Sequence, residues 1–155
     1  MKKLTKYYTL TNSTDKIIEV LKENTLEKNY LTLEFTPKKF IGHFYKNHFS
    51  LLNSNMLQIG MFCILKGHFE ERNQNTYLEV RTRIHTAFII LGSIFITLFS
   101  ILFFVLSAKS FPMPNPILFL IGNCFWISLL SASFFISRHF ALKQLETSIE
   151  IKCSY

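Results

Sequence analysis

Ala87 to Ala108 reads AFIILGSIFITLFSILFFVLSA, 22 residues with no charged side chain and with fifteen Leu, Ile, Phe or Val. As a helix rising about 1.5 Å per residue it would be about 33 Å long, enough to cross a hydrocarbon layer of about 30 Å. Each of its large apolar residues favours the bilayer by about 0.3 to 0.6 kcal/mol near the helix centre, which outweighs the few hydroxyls. The competing explanation is a helix buried in a soluble core. A chain of 155 residues is too small to enclose one such helix, and a second follows.

Ile117 to Ile136 reads ILFLIGNCFWISLLSASFFI, again uncharged and long enough to span. Between the two lies Lys109-Ser-Phe-Pro-Met-Pro-Asn-Pro116. Its prolines lack the N–H that helical bonding needs and end the first helix. Pro116 suits the first turn of the second helix, with Asn115 as its cap. These signals predict a transmembrane helical hairpin.

Small residues suggest how the spans meet. Ser93, Thr97, Ser100 and Ser107 share one face of the first helix, and Cys124, Ser128 and Ser131 share one face of the second. Facing stripes of this kind let backbones approach and hydroxyls bond across; the alternative is that each hydroxyl bonds back to its own helix. Asn123 lies off the stripe. An amide in lipid needs a partner, so it marks either a second protein contact or a position near the headgroups.

Arg72, Arg81 and Arg83 precede the first span, Lys109 alone sits in the connector, and Arg138, Lys143 and Lys152 follow the second. By the positive-inside bias both termini are expected in the cytoplasm, as in a bacterial inner-membrane protein. Met1-Lys2-Lys3 is followed by no apolar run, so the first span is expected to serve as the targeting signal.

The front of the chain reads differently. Tyr7 to Thr11 suits a strand. Asn12 or Ser13 then caps a helix over 15–24, with Asp15 in its positive first turn and Ile17, Ile18, Val20 and Leu21 as its apolar stripe. From Tyr30 the period changes to two: 30–35, then Phe40 to Tyr45 and His48 to Leu52 as a hairpin turning at Lys46-Asn47. Met61 to Phe69 and Thr76 to Ile84 follow, separated by a turn-rich stretch over 70–75, with Leu78, Val80, Thr82 and Ile84 facing the core. Beyond the second span, Phe140, Leu142, Leu145 and Ile149 give the tail an apolar side, suited to the bilayer surface or to the sheet.

The expected fold class is therefore α+β. A strand, a helix and an antiparallel meander form a basic cytoplasmic domain over 1–85. A two-helix transmembrane hairpin follows over 86–137, with spans at about 87–108 and 117–136. The tail, 138–155, holds a short amphipathic C-terminal helix.

Phe40-x-Gly42, Phe49-x-Leu51, Lys66-Gly67-x-Phe69 and Thr76-x-Leu-x-Val-x-Thr-x-Ile84 lead directly into paired spans. Over about 38–136 this pattern resembles small, uncharacterised bacterial membrane proteins with a β-rich N-terminal domain and a C-terminal transmembrane hairpin. More distantly it is similar to bacterial pleckstrin-homology-like membrane proteins. The resemblance implies a sheet domain attached to a hairpin and brings no activity or site residues.

Chemistry-bearing motifs are sparse. Cys63, Cys124 and Cys153 are an odd, unclustered set, which argues against a disulfide framework and a zinc site and favours buried free thiols. His43, His48 and His68 would need one sheet face and further ligands to hold a metal, so solvated histidines are the default. His85 and His139 fall near the cytoplasmic helix ends. Glu70 and Glu71 read as solvated charge in a turn. No nucleophile elbow or phosphate-binding glycine loop is present. Residues 1–85 carry thirteen Lys and Arg against eight Asp and Glu. That excess suits anionic lipid at a cytoplasmic surface better than nucleic acid. The expectation is a membrane-anchored binding or sensing module without cofactor, metal or catalysis. Its partners would be the lipid bilayer and a protein partner or second copy. The alternative is an accessory subunit of a membrane complex recognised through its spans; a membrane enzyme is the least expected class.

Overall fold

The computed structural model describes residues 4–10, 13–28, 37–54, 63–72, 75–110, 116–149 and 151–154. The chain is α+β. It runs β1 (Thr5–Leu10), α1 (Thr14–Glu23), β2 (Thr25–Leu26), β3 (Phe40–Tyr45), β4 (His48–Asn53), β5 (Cys63–Arg72), β6 (Asn75–Ile84), α2 (Thr86–Ser110), α3 (Pro116–Ser148) and β7 (Ile151–Ser154). The strand expected over 30–35 lies outside the described residues.

The seven strands form one sheet in the order β2-β3-β4-β5-β6-β1-β7. β3 to β6 make the expected antiparallel meander. β1 pairs antiparallel with β6, bringing the start of the chain beside the last meander strand. Two features depart from the expectation. β2 pairs parallel with β3, so the sheet is mixed, and β7 adds to the free edge of β1. Glu70 to Arg72, expected in a turn, instead extend β5, opposite Tyr77 to Asn75.

Alternation along the strands separates two faces. Tyr8, Leu10, Phe49, Leu51, Leu65, Phe69, Leu78 and Val80 belong to one buried cluster with Ile17 and Leu21 of α1. Gly67 lies opposite Phe49 on one side and Val80 on the other, and the Phe49 ring occupies the space a side chain would need. α1 starts after Ser13, whose side chain makes no capping bond. The Thr14 N–H reaches Glu71 Oε1 on β5 at 3.4 Å instead, so Glu71 serves the positive helix end rather than solvent alone.

Two helices are long and apolar enough to cross a membrane. α2 has mean hydropathy 2.7 over Thr86–Val105. α3 has 33 residues and is a single unbroken helix, about 50 Å long. Its apolar part ends at Ile136. Beyond it, Ser137, Ala141, Leu142, Leu145 and Ile149 are buried, and all but Ser137 belong to the sheet's core cluster. No separate amphipathic C-terminal helix forms. The tail is the last three turns of α3 followed by β7. Phe140, expected on the buried stripe, is exposed, and Ala141 takes its place.

The small residues of that stripe explain the close fit. Ser137 and Ala141 are both fully buried, and side chains of this size let a helix approach a sheet whose own side chains are large. Leu145, also fully buried, contributes about 1.5 to 3 kcal/mol through removal of its surface from water.

Candidate functional site

The ends of the chain meet where β1 faces α3. Lys6 and Tyr8 alternate with exposed Tyr7, so both point to the helix side of the sheet. There Lys6 Nζ donates to Glu146 Oε1 at 2.6 Å and the Tyr8 hydroxyl donates to the same oxygen at 2.8 Å. Lys6 also sits 5.2 Å from the centre of the Tyr8 ring. One turn of helix to the N-terminal side of Leu142, Arg138 Nε donates to Thr82 Oγ1 on β6 at 3.3 Å. This polar seam links the first strand, the last meander strand and the last turns of α3.

The seam has a defined charge state at neutral pH. Burial pushes the Glu146 carboxyl up, but the bonds from Lys6 and Tyr8 outweigh it and hold the group below its ordinary range. Tyr8 is pushed well above the usual phenol range, first by burial and then by its bond to the Glu146 carboxylate. Burial pushes the Cys63 thiol up to about 12, against the opposing pull of Arg138, so it is an inert thiol rather than a nucleophile. Ser137 Oγ is buried with no hydrogen-bond partner among the described residues.

The opposite face of the sheet is polar. The cross-strand row Tyr45, His48, His68, Glu79 and Tyr7 runs across it. His48 and His68 are direct neighbours, and their rings stack with centroids 4.2 Å apart. His43 lies on the same face one row away, opposite Ser50. Alternation therefore does bring the three histidines to one side. Stacked rings do not converge on a point as metal ligands must, and among the described residues no group of three His, Cys, Asp or Glu is placed to hold a metal. Glu79 is engaged by Arg81 at 2.7 Å. His85 accepts the Ala87 N–H on Nδ1 at 3.0 Å and so caps α2; His139 packs on Phe140 instead.

The hairpin contact does not follow the hydroxyl stripes. Ser93, Thr97, Cys124, Ser128 and Ser131 are exposed on the helix surfaces, and Ser100 is half-buried. Ser93, Thr97, Ser100 and Ser131 each donate to the carbonyl four residues earlier in their own helix, at 2.8 to 2.9 Å. The side chain of Ser107 lies outside the described residues. The helices meet through aromatic rings and glycines: Trp126 packs against Phe95 and Phe99, Phe119 against Phe103, Gly122 against Phe99, and Gly92 against Leu130. Large rings settle into the gaps left by glycine, and the hydroxyls satisfy themselves. Asn123, half-buried, donates to Phe119 O at 2.9 Å, which meets its amide's need within the helix. Of the predicted helix-packing residues, Ser93 and Ser131 are brought together, lining one apolar groove between α2 and α3.

The polar seam had no sequence signal. Lys6 and Glu146 lie 140 positions apart, and neither belongs to a motif. His48 and His68 were recoverable from the hairpin spacing, had the register of β5 been known. No protein-family model, curated protein or solved structure matches the chain.

Proposed function

We propose that the chain is an integral membrane protein of a bacterial inner membrane, with both termini cytoplasmic, whose sheet domain is a non-catalytic binding or sensing module. The observation that carries this reading is the continuity of α3. One unbroken helix is apolar to Ile136 and from Ser137 onward is part of the sheet's core. A module joined in this way moves with its membrane hairpin rather than on a flexible leash, as a sensor of the bilayer or of a membrane-bound partner requires. Supporting it, the sheet's open face presents exposed Tyr7, Tyr45 and Tyr77 beside Lys66 and Arg81, a surface for partner recognition. The seam holds neither a poised base nor an activated nucleophile, which weighs against a membrane enzyme. The bias of Lys and Arg toward the chain ends favours the cytoplasmic side.

The test is site-specific labelling in sealed inverted vesicles. A cysteine at Lys46 should react with a membrane-impermeant maleimide and one at Met113 should not; the reverse pattern would sink the topology. Extraction by alkaline carbonate would overturn the integral reading itself.

A second reading, an accessory subunit recognised through its spans, is favoured by one observation. Cys124 and Ser128 form a small-residue patch exposed on α3, away from the contact with α2. Small residues outside the hairpin leave room for a third helix to approach closely.

A further inference from the structure

Alternation puts Lys66 of β5 and Arg81 and Arg83 of β6 on the sheet's open face, opposite the core cluster, and all three are exposed. Lys66 and Arg81 are direct cross-strand partners, and Arg83 stands two residues along β6. Neighbouring strands lie about 4.8 Å apart, so three cations share a small area of a flat surface. Like charges set directly opposite each other cost stability, so this pair is not there to hold the sheet together. The side chains of Lys66 and Arg83 have no hydrogen-bond or ion-pair partner among the described residues. Arg81 donates from Nε to Glu79 at 2.7 Å, and its side chain is still 66 % exposed. Glu79 is shared with the Tyr7 hydroxyl at 3.5 Å. The cluster therefore carries uncompensated positive charge. Beyond Arg83 the strand turns to the hairpin: Ile84, expected in the sheet core by alternation, is 42 % exposed and lines the groove between α2 and α3 instead.

We propose that this cluster and the aromatic row beside it are a docking surface for an acidic, extended peptide segment of a partner protein. The segment's carboxylates sit over Lys66, Arg81 and Arg83, and its uncharged side chains lie along Tyr45, His48, His68 and Tyr7. Charge complementarity is the first argument: the planar donors of two arginines beside a lysine suit carboxylate oxygens. Shape is the second. A lone small anion on a flat face keeps most of its water, whereas an extended chain covers the surface. The row from Tyr45 on β3 to Tyr7 on β1 crosses five strands, about 19 Å, the length of about six extended residues. Two other polyanions fit less well. Arg81 precedes the start of α2 by five residues, about 17 Å along the strand, and the surface charge of a bilayer is screened over about 8 Å. Nucleic acid would carry its phosphates past Glu79 and Glu70, which stand among the aromatic side chains of the same face. A peptide can confine its acids to the cation cluster, and exposed tyrosine and arginine are enriched where proteins meet. The proposal rests on the reading of the chain as a membrane-anchored binding module and names the chemistry of its partner.

Fluorescence anisotropy of dye-labelled peptides added to the full-length protein in mild detergent tests it. The probe alternates glutamate and serine, and its control carries glutamine for glutamate. The wild type should bind the probe at least tenfold more tightly than the control. Lys66→Glu with Arg83→Glu should lose the probe and bind instead a peptide that alternates lysine and serine. Equal binding of probe and control by the wild type, or a probe kept by the charge-reversed variant, overturns the site. Should that variant fail to fold, Lys66→Gln decides. It should weaken the probe at least threefold and raise the thermal unfolding temperature of the free protein, because it removes one of two opposed like charges. An unchanged affinity or a lower temperature would make the cluster structural and overturn the proposal. Two competitors separate the possible occupants. Short-chain phosphatidylglycerol should displace the probe no more than short-chain phosphatidylcholine does, and an oligothymidylate of equal charge should bind more weakly than the probe. Selective displacement gives the face to lipid headgroups, tighter oligonucleotide binding gives it to nucleic acid, and either overturns the proposal. Protein that stays in membranes after carbonate but does not bind the probe refutes only the docking surface, whereas protein released by carbonate refutes the membrane reading beneath it.

Discussion

A methyl group added at Gly67 would meet the ring of Phe49 at 2.1 to 2.6 Å, and one added at Gly42 would meet the backbone oxygen of Ser50 at 2.0 Å. A ring can turn and a strand backbone cannot. Gly67→Ala should therefore cost about 1 to 3 kcal/mol by overpacking, and Gly42→Ala more, read as the shift in thermal unfolding of the detergent-solubilised protein. Ser137 predicts the opposite sign. Its hydroxyl is buried without a partner among the described residues, so Ser137→Ala should raise stability by about 1 kcal/mol. At the polar seam the sign follows from linkage. Glu146 is held below its unfolded value, so its contribution is present above about pH 4.3 and is lost as pH falls through the lower folded value. Tyr8 is raised, so its contribution is present below about pH 10 and is lost above it. Stability should be level from about pH 5 to 9 and fall on both sides. Glu146→Gln should lower the plateau by about 1 kcal/mol, since both partners are partly solvated, and should blunt the acid limb. An unchanged acid limb in that variant would remove Glu146 from the account. Histidine spacing and the glycines were visible in the sequence. The seam was not, because an ion pair between residues at opposite ends of a chain leaves no local pattern.

At the scale of elements, α2 and the apolar part of α3 were legible from hydrophobic run length, and the connector from its prolines. Pro116 does begin α3, as its fixed φ and missing N–H suit a first turn. The packing of the two helices was not legible. Hydroxyl spacing marks a helix face, but it does not say whether that face bonds outward or back to its own carbonyls. The outcome turned on glycine positions matched to rings, a pairing that exists only once register is set. Leu145→Ala should cost about 2 to 5 kcal/mol, because the sheet cannot collapse into the space a fully buried leucine leaves. Phe140→Ala, on the exposed side of the same turn, should change stability by less than about 0.5 kcal/mol. Similar losses at both sites, measured by thermal unfolding, would show that α3 does not dock through the face described.

For the whole molecule, the boundary that composition draws at residue 85 is not a boundary of folding. The sheet's core takes Phe134, Ala141, Leu142, Leu145 and Ile149 from α3, and its β1 edge takes β7. Residues 1–85 produced alone should lack cooperative unfolding and near-ultraviolet dichroism. Restoring 138–155 through a soluble linker should recover both; a cooperative 1–85 fragment would show that the sheet is self-sufficient. By itself the sequence determined two apolar helices, the antiparallel meander and the α+β class, because run length and period depend only on neighbours along the chain. Tertiary structure alone decided that α3 stays unbroken into the domain, that β1 and β7 close the sheet's far edge, and that Lys6, Tyr8, Thr82, Arg138 and Glu146 form one seam. Those contacts join residues as many as 146 positions apart, Tyr8 and Ser154, and their energy comes from shapes and charges that meet only when the chain has folded.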